Sequence, residues 1–255
     1  MSTIPSYLER SRRALEAVAR EQGLLEEEVL VRARTLSPEE AIGRPGRRDF
    51  PLLKGKERLL EGVVGGSRGH AFTDAPTEFT GSLKDLLSLP LDSTRTRGPY
   101  VAVLNAVFRS AGLVSETVHC RDDDPESCAV EIGERVTREL RWPRVGLIGF
   151  NPALADELAR RLGPQGLRIT DLDPDNVGRE RFGVPVWDGS TRYRDLIAWS
   201  YGVLVTGTTF VNGTFDSIWQ AREQAGKPGV LFGVTAAGLA RIFGFPRVCP
   251  RARAV

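Results

Sequence analysis

Val145-Gly146-Leu147-Ile148-Gly149-Phe150-Asn151-Pro152 places an apolar run, a glycine and a helix opening side by side. A short run without polar alternation suits a strand buried on both faces. Asn151 can cap a helix whose first residue is Pro152, because the N–H that proline lacks would be unpaired there in any case. The same rhythm repeats outward along the chain. Leu167 to Thr170 reads as a strand ending in Asp171-Leu172-Asp173, and Tyr201 to Val205 and Gly229 to Phe232 read as two more, each followed by a Gly/Thr loop and a helical run. Strands alternating with helices predict an α/β unit over 141–255, built on a parallel sheet covered on both faces, with ligands at the carboxyl ends of its strands.

The front of the chain reads differently. Ser6 to Gln22 has apolar residues at helical spacing and a stop at Gly23. Val29, Val31 and Ala33 then recur at a spacing of two, the mark of a half-buried strand. Arg58 to Val64 and His70 to Thr73 flank the turn Gly65-Gly66-Ser67-Arg68-Gly69, and three helical stretches follow at 82–88, 99–111 and 125–140. A meander followed by helices predicts a smaller α+β domain over 1–140, joined to the second unit by Arg141-Trp142-Pro143.

Composition narrows the function classes. With 41% hydrophobic and 27% charged residues the chain is that of an ordinary globular protein. Its +2 net charge is spread without a basic stripe, which argues against nucleic acid. No apolar run is long enough for a membrane span and the amino terminus lacks a secretory core, so the expected address is the cytoplasm. Three cysteines there leave metal, thiol chemistry or plain burial as readings, with burial favoured for Cys249.

The strand-end loops carry the candidate ligand residues. The loop at Gly149 and Asn151 lacks the G-x-G-x-x-G of a dinucleotide site, while Asp171 and Asp173 stand where an acid would meet a ribose hydroxyl. They equally suit a solvated loop before Pro174. Thr206-Gly207-Thr208-Thr209-Phe210-Val211-Asn212-Gly213-Thr214 joins a strand to a helix starting near Phe215, where hydroxyls and free amides can hold an anion. Against this, Asp216 would repel an anion, and Thr214 can be a cap and Asn212-Gly213 a turn. Gly233 to Gly238, with Thr235, is a second such loop.

The strings VLVTGTTFVNGTFDSIW, VLFGVTAAG, VGLIGFNP and ITDLDPDNVG resemble the Rossmann-like domain of the family labelled putative heavy-metal chelation. GSRGHAFTD and VAVLNAVFRSAG resemble the enolase-amino-terminal-like domain that precedes it. The resemblance implies a Rossmann-like α/β fold after an enolase-N-terminal-like α+β domain, with a site between the two. It points to Asn105, Thr208, Thr209, Asn212, Thr214 and Thr235. It implies no reaction, and enolase chemistry does not follow from the small capping domain.

His119 to Ala129 is the sharpest local cluster. His119, Cys120 and Cys128 offer ligands for a transition metal, and the acids among them suit harder cations, although four-ligand zinc spacing is absent. His70 or Glu126 could supply a fourth ligand. The alternative is that Cys128 faces the core and Asp122 to Asp124 cap its helix. Two functions follow: a protein that binds a small anionic molecule or a metal chelate in the interdomain cleft, or an enzyme using a nucleotide-like cosubstrate such as S-adenosylmethionine there. A scaffold needs no pair of Gly/Thr loops, and a homo-oligomer is left open.

Overall fold

The computed structural model describes residues 5–26 and 30–254; Val29, the first residue of the expected alternation, lies outside them. In chain order the front comprises α1 (Tyr7–Glu21), β1 (Leu30–Thr35), α2 (Pro38–Ile42), β2 (Arg58–Val64), β3 (Ser67–Thr73), β4 (Phe79–Ser82), α3 (Leu83–Ser88), α4 (Thr94–Ser110) and α5 (Asp124–Glu134). A π-helical turn, Arg135–Glu139, extends α5. The remainder comprises β5 (Val145–Ile148), α6 (Pro152–Leu162), β6 (Leu167–Asp171), β7 (Glu180–Arg181), β8 (Val184–Asp188), α7 (Gly189–Trp199), β9 (Gly202–Thr206), α8 (Thr208–Asn212), α9 (Phe215–Gln224), β10 (Gly229–Phe232), α10 (Ala237–Phe243) and β11 (Arg247–Val248).

Four antiparallel strands make the first sheet, in the order β3-β2-β1-β4. Its hairpin turns on Gly65 and Gly66, whose φ values of 51° and 82° suit the tight turn that matches strand twist. The second sheet runs β11-β10-β9-β5-β6-β8-β7, parallel throughout except for the short edge pair β7 and β8. Adjacent β5 and β9 are the place where the chain reverses its direction of winding, the usual ligand crevice of such sheets.

Helix α4 decides how the sheets meet. From Gly98 to Phe108 every residue is buried, as expected for a helix apolar on all sides. Gly62 and Gly69 allow the first sheet to lie directly on the α4 backbone: a Cβ at Gly69 would stand 2.3 Å from the Ala106 nitrogen. On the opposite side, a Cβ at Gly238 would stand 2.3 Å from Leu104 Cδ2. The apolar cores on both sides draw residues from before and after 141.

The expected parallel sheet and the hairpin are both present. The elements α2, β4, β7, β8, α7 and β11 are not expected from the sequence reading, and others differ from it. The Thr206 to Thr214 stretch contains the short helix α8. The strand β8 contains Pro185, which pairs with Glu180 at the β7 edge, where a missing N–H is tolerated. The long helix expected from 99 begins at Thr94, with Pro99 inside it.

Candidate functional site

The carboxyl ends of β5, β6, β9 and β10 open into one cleft of about 480 Å³. Close packing at the crevice depends on Gly149, whose φ is +90° and whose Cβ would stand 2.4 Å from Thr206 Cγ2. Gly149, Asn151, Asp171, Asp173, Thr208, Thr209, Asn212, Thr214 and Thr235 all line this cleft, together with His119, Cys120 and Cys128. Glu57, Phe72 and Asp74, at or beside the first sheet, form the facing wall.

Much of the polar chemistry of these residues is spent locally. Asn151 Oδ1 accepts the Leu154 amide at 3.0 Å, so the residue caps α6. Asp171 accepts amides from Phe150 and, at 2.6 Å, from Asp173, which fixes the loops after β5 and β6 against each other. Thr209 Oγ1 donates to the Thr206 carbonyl at 2.7 Å. Asn212 Oδ1 accepts from the Thr214 amide and hydroxyl at 3.1 and 2.7 Å. Thr208 Oγ1 lies 3.2 Å from Thr206 Oγ1, and Thr235 Oγ1 accepts the Phe72 amide at 3.0 Å.

Asn105 is apart from this set. It is fully buried and does not line the cleft. Its amide donates to the carbonyls of His70, Val234 and Thr235 at 2.9, 3.3 and 3.2 Å, and its Oδ1 accepts the Gly238 amide at 2.8 Å. Asn105 therefore shapes the site from behind, and its expected role as a ligand contact is corrected to one of positioning. A buried amide needs partners, and here the protein backbone supplies them.

The facing wall is acidic. Burial and then the charges of Asp171, Asp74 and Asp173 push Glu57 up to about 7, with no hydrogen bond to offset them. Asp171 is also raised, chiefly by burial, against the lowering effect of the backbone amides that face it. Among the described lining residues Lys56 is the one ammonium or guanidinium, and it sits 2.7 Å from Asp175. An anion thus gains little from this wall. Thr170 adds a buried hydroxyl without a hydrogen-bond partner. Neither Glu57 nor Thr170 stood out in the sequence: Glu57 sits in the charged string Lys54-Gly55-Lys56-Glu57-Arg58, which reads as a solvated loop, and Thr170 reads as strand.

The thiols gather more closely than the sequence suggested. Cys128 has both Cys120 and Cys249 beside it, and all three are buried and free. The neighbouring Cys120 thiol, followed by burial, drives Cys128 up to about 12, against the lowering effect of Cys249. His119 Nδ1 lies 3.3 Å from the Ala41 carbonyl, and burial followed by the neighbouring His70 brings it down to about 4, so its imidazole is neutral at pH 7. His70 is a core histidine: its Nδ1 accepts the His119 amide at 3.1 Å and its Nε2 faces Glu61 at 3.4 Å. Among the described residues no three His, Cys, Asp or Glu side chains converge on a point that could hold a metal ion. His119, Cys120 and Cys128 thus share a wall without forming a ready coordination shell, and neither His70 nor Glu126 completes one.

Comparison with known proteins agrees with the resemblance read from the sequence. Residues 136–246 match the model of the family DUF364, described as putative heavy-metal chelation. The chain is similar to a solved structure of a DUF364 protein with unknown function from Pyrococcus horikoshii, at 15% identity and a TM-score of 0.52 over 91% of this chain and 80% of that one. A second, from Desulfitobacterium hafniense, is 16% identical with a TM-score of 0.51 over 91% and 82%. At such identities the likeness establishes the fold. No curated protein matches the chain. Among the described residues no helix is long and apolar enough to cross a membrane.

Proposed function

We propose that this chain, whose residues 136–246 carry the pattern described as putative heavy-metal chelation, binds a small polar molecule or a metal chelate in the cleft between its two sheets. One observation supports this above all: four strand-end loops of the parallel sheet and a wall beside the first sheet enclose a single cleft of about 480 Å³. That is within the roughly 300–1,000 Å³ of small-molecule sites. Division of labour between two domains, 1–140 and 141–255, belongs to the same proposal, with each side contributing one wall. Thiols and a neutral imidazole at one end would tolerate the metal of a chelate whose other ligands arrive with it. A nucleotide-like cosubstrate is less well served, because the glycine fingerprint is absent, both Asp171 oxygens already accept backbone amides, and a phosphate would meet an acidic wall.

Calorimetry against a panel of small hydroxylated compounds and their zinc and nickel complexes tests the reading. Binding by wild type should weaken about tenfold or more in Thr208→Val, which keeps its melting temperature, and also in Asn212→Ala, which loses the acceptor of the Thr214 amide and hydroxyl and melts somewhat lower. Binding that ignores both substitutions would place the ligand elsewhere.

A further inference from the structure

We infer that the wall formed by Glu57, Asp74 and Asp171 receives a positively charged group of the ligand. This rests on the cleft being the binding site and specifies what that site selects. Glu57, Asp74, Asp171 and Asp173 all line the cleft, where the charges of the last three bear on Glu57. The ammonium beside them, Lys56, lies 3.8 Å from Asp173 and 2.7 Å from Asp175, so it is drawn toward the outer acids. Carboxylates gathered in a partly enclosed space repel one another, and either a proton or a cation relieves them.

Thr170 supplies an independent observation. This residue is fully buried, lines the same cleft, and its Oγ1 has no hydrogen-bond partner in the protein. Buried hydroxyls are ordinarily satisfied. A ligand N–H or O–H would bond to it while its charge faces the acids.

The chemistry of the group follows from the spread of the acceptors. Direct metal coordination needs donors within about 2.0–2.6 Å of one point, and no three acidic, His or Cys side chains converge in this way. An ammonium reaches its acceptors through N–H donors that radiate outward, which suits separated carboxylates. The outer ammine shell of an inert metal complex presents the same donors. Positive charge carried on N–H groups is therefore the shared requirement, and experiment separates its two sources.

Calorimetry at pH 7.5 should compare D-glucosamine, D-glucose, D-gluconate and hexaamminecobalt(III) on wild type, Glu57→Gln, Asp74→Asn and Thr208→Val, with a melting curve for each variant. Glucosamine or hexaamminecobalt is expected to bind at least tenfold more tightly than glucose, and gluconate not to bind. Both carboxylate substitutions should weaken the cation tenfold or more without lowering the melting temperature. Binding of glucosamine alone identifies an organic ammonium, and binding of the cobalt complex alone a metal-borne charge. Glucose or gluconate bound as tightly as the cations, or cation binding unchanged in both carboxylate variants, overturns the inference. If in that case Thr208→Val still weakens glucose, the cleft remains the site and only the charge preference falls. If no probe binds wild type, both readings fall.

Discussion

The Phe72 amide donates to Thr235 Oγ1 across 3.0 Å, tying an edge strand of the first sheet to the loop that follows β10 of the second. The bond crosses between the two sheets at the rim of the cleft, so it helps set the distance between the walls. Replacing Thr235 by Val keeps the shape and removes the acceptor. Thr235→Val is expected to cost about 1–3 kcal/mol, since it strands a part-buried N–H, while Thr235→Ser should restore most of the loss. Urea titration of the three proteins measures it.

Asn105 holds the same junction from behind. Its four bonds reach His70, Val234, Thr235 and Gly238, and no water-exposed route replaces them at a fully buried position. Asn105→Ala is expected to destabilise by about 3–5 kcal/mol, as loss of a buried hydrogen-bond network does. Asn105→Asp should be no better, because a carboxylate cannot donate to three carbonyls. Unchanged denaturation midpoints in both variants would show that the network contributes nothing.

Glu57 gives a pH signature. Its carboxyl is held at about 7 in the folded protein by burial and by Asp171, Asp74 and Asp173, against an ordinary value near 4.3 in the unfolded chain. The folded state therefore binds the proton more tightly, and this stabilisation is complete below the unfolded value and lost as pH rises through about 7. Glu57→Gln should be more stable than wild type at pH 8, by on the order of 1–3 kcal/mol, with the difference vanishing near pH 4. Melting curves of the pair across pH 4–8 check the sign.

The three thiols should be inert in the folded protein. Cys120, Cys128 and Cys249 are all buried, Cys128 is pushed up to about 12 and Cys249 is raised as well, so these two supply little reactive thiolate at neutral pH, and burial shields Cys120 from a bulky reagent. A disulfide exchange reagent at pH 8 is expected to titrate fewer than one thiol in native protein and three in guanidinium chloride. Rapid native reaction of two or more would mean that this end of the cleft opens readily.

The parallel sheet was legible because its strands are uninterrupted apolar runs ending in glycine or aspartate, as in Val145 to Gly149 and Gly229 to Gly233. The strand β8 was hidden by Pro185, and β11 is too short to announce itself. Most candidate residues of the strand-end loops were readable, since Gly/Thr loops after buried strands have a fixed place in such folds. What could not be read was which side chains the fold would exhaust internally. Asn105, Asn151 and Asp171 look alike as polar residues in apolar surroundings, yet only their partners, through contacts as distant in sequence as Asn105 to Gly238, separate a positioning role from a place on the cleft wall. Glu57 was passed over for the same reason, becoming notable only when the chain brings Asp171 beside it; Cys249, expected to be buried, is buried, and what the sequence could not show is Cys128 beside it.

Hydrogen exchange with and without a ligand identified by calorimetry tests the cleft most directly. Slowed exchange is expected together at 149–151, 206–214 and 233–236 of the second sheet and at 56–57 and 72–74 on the facing wall, with the outer faces of α1 and α7 unchanged. Slowing confined to one side of the cleft, or located away from both walls, would contradict a site shared between the two sheets.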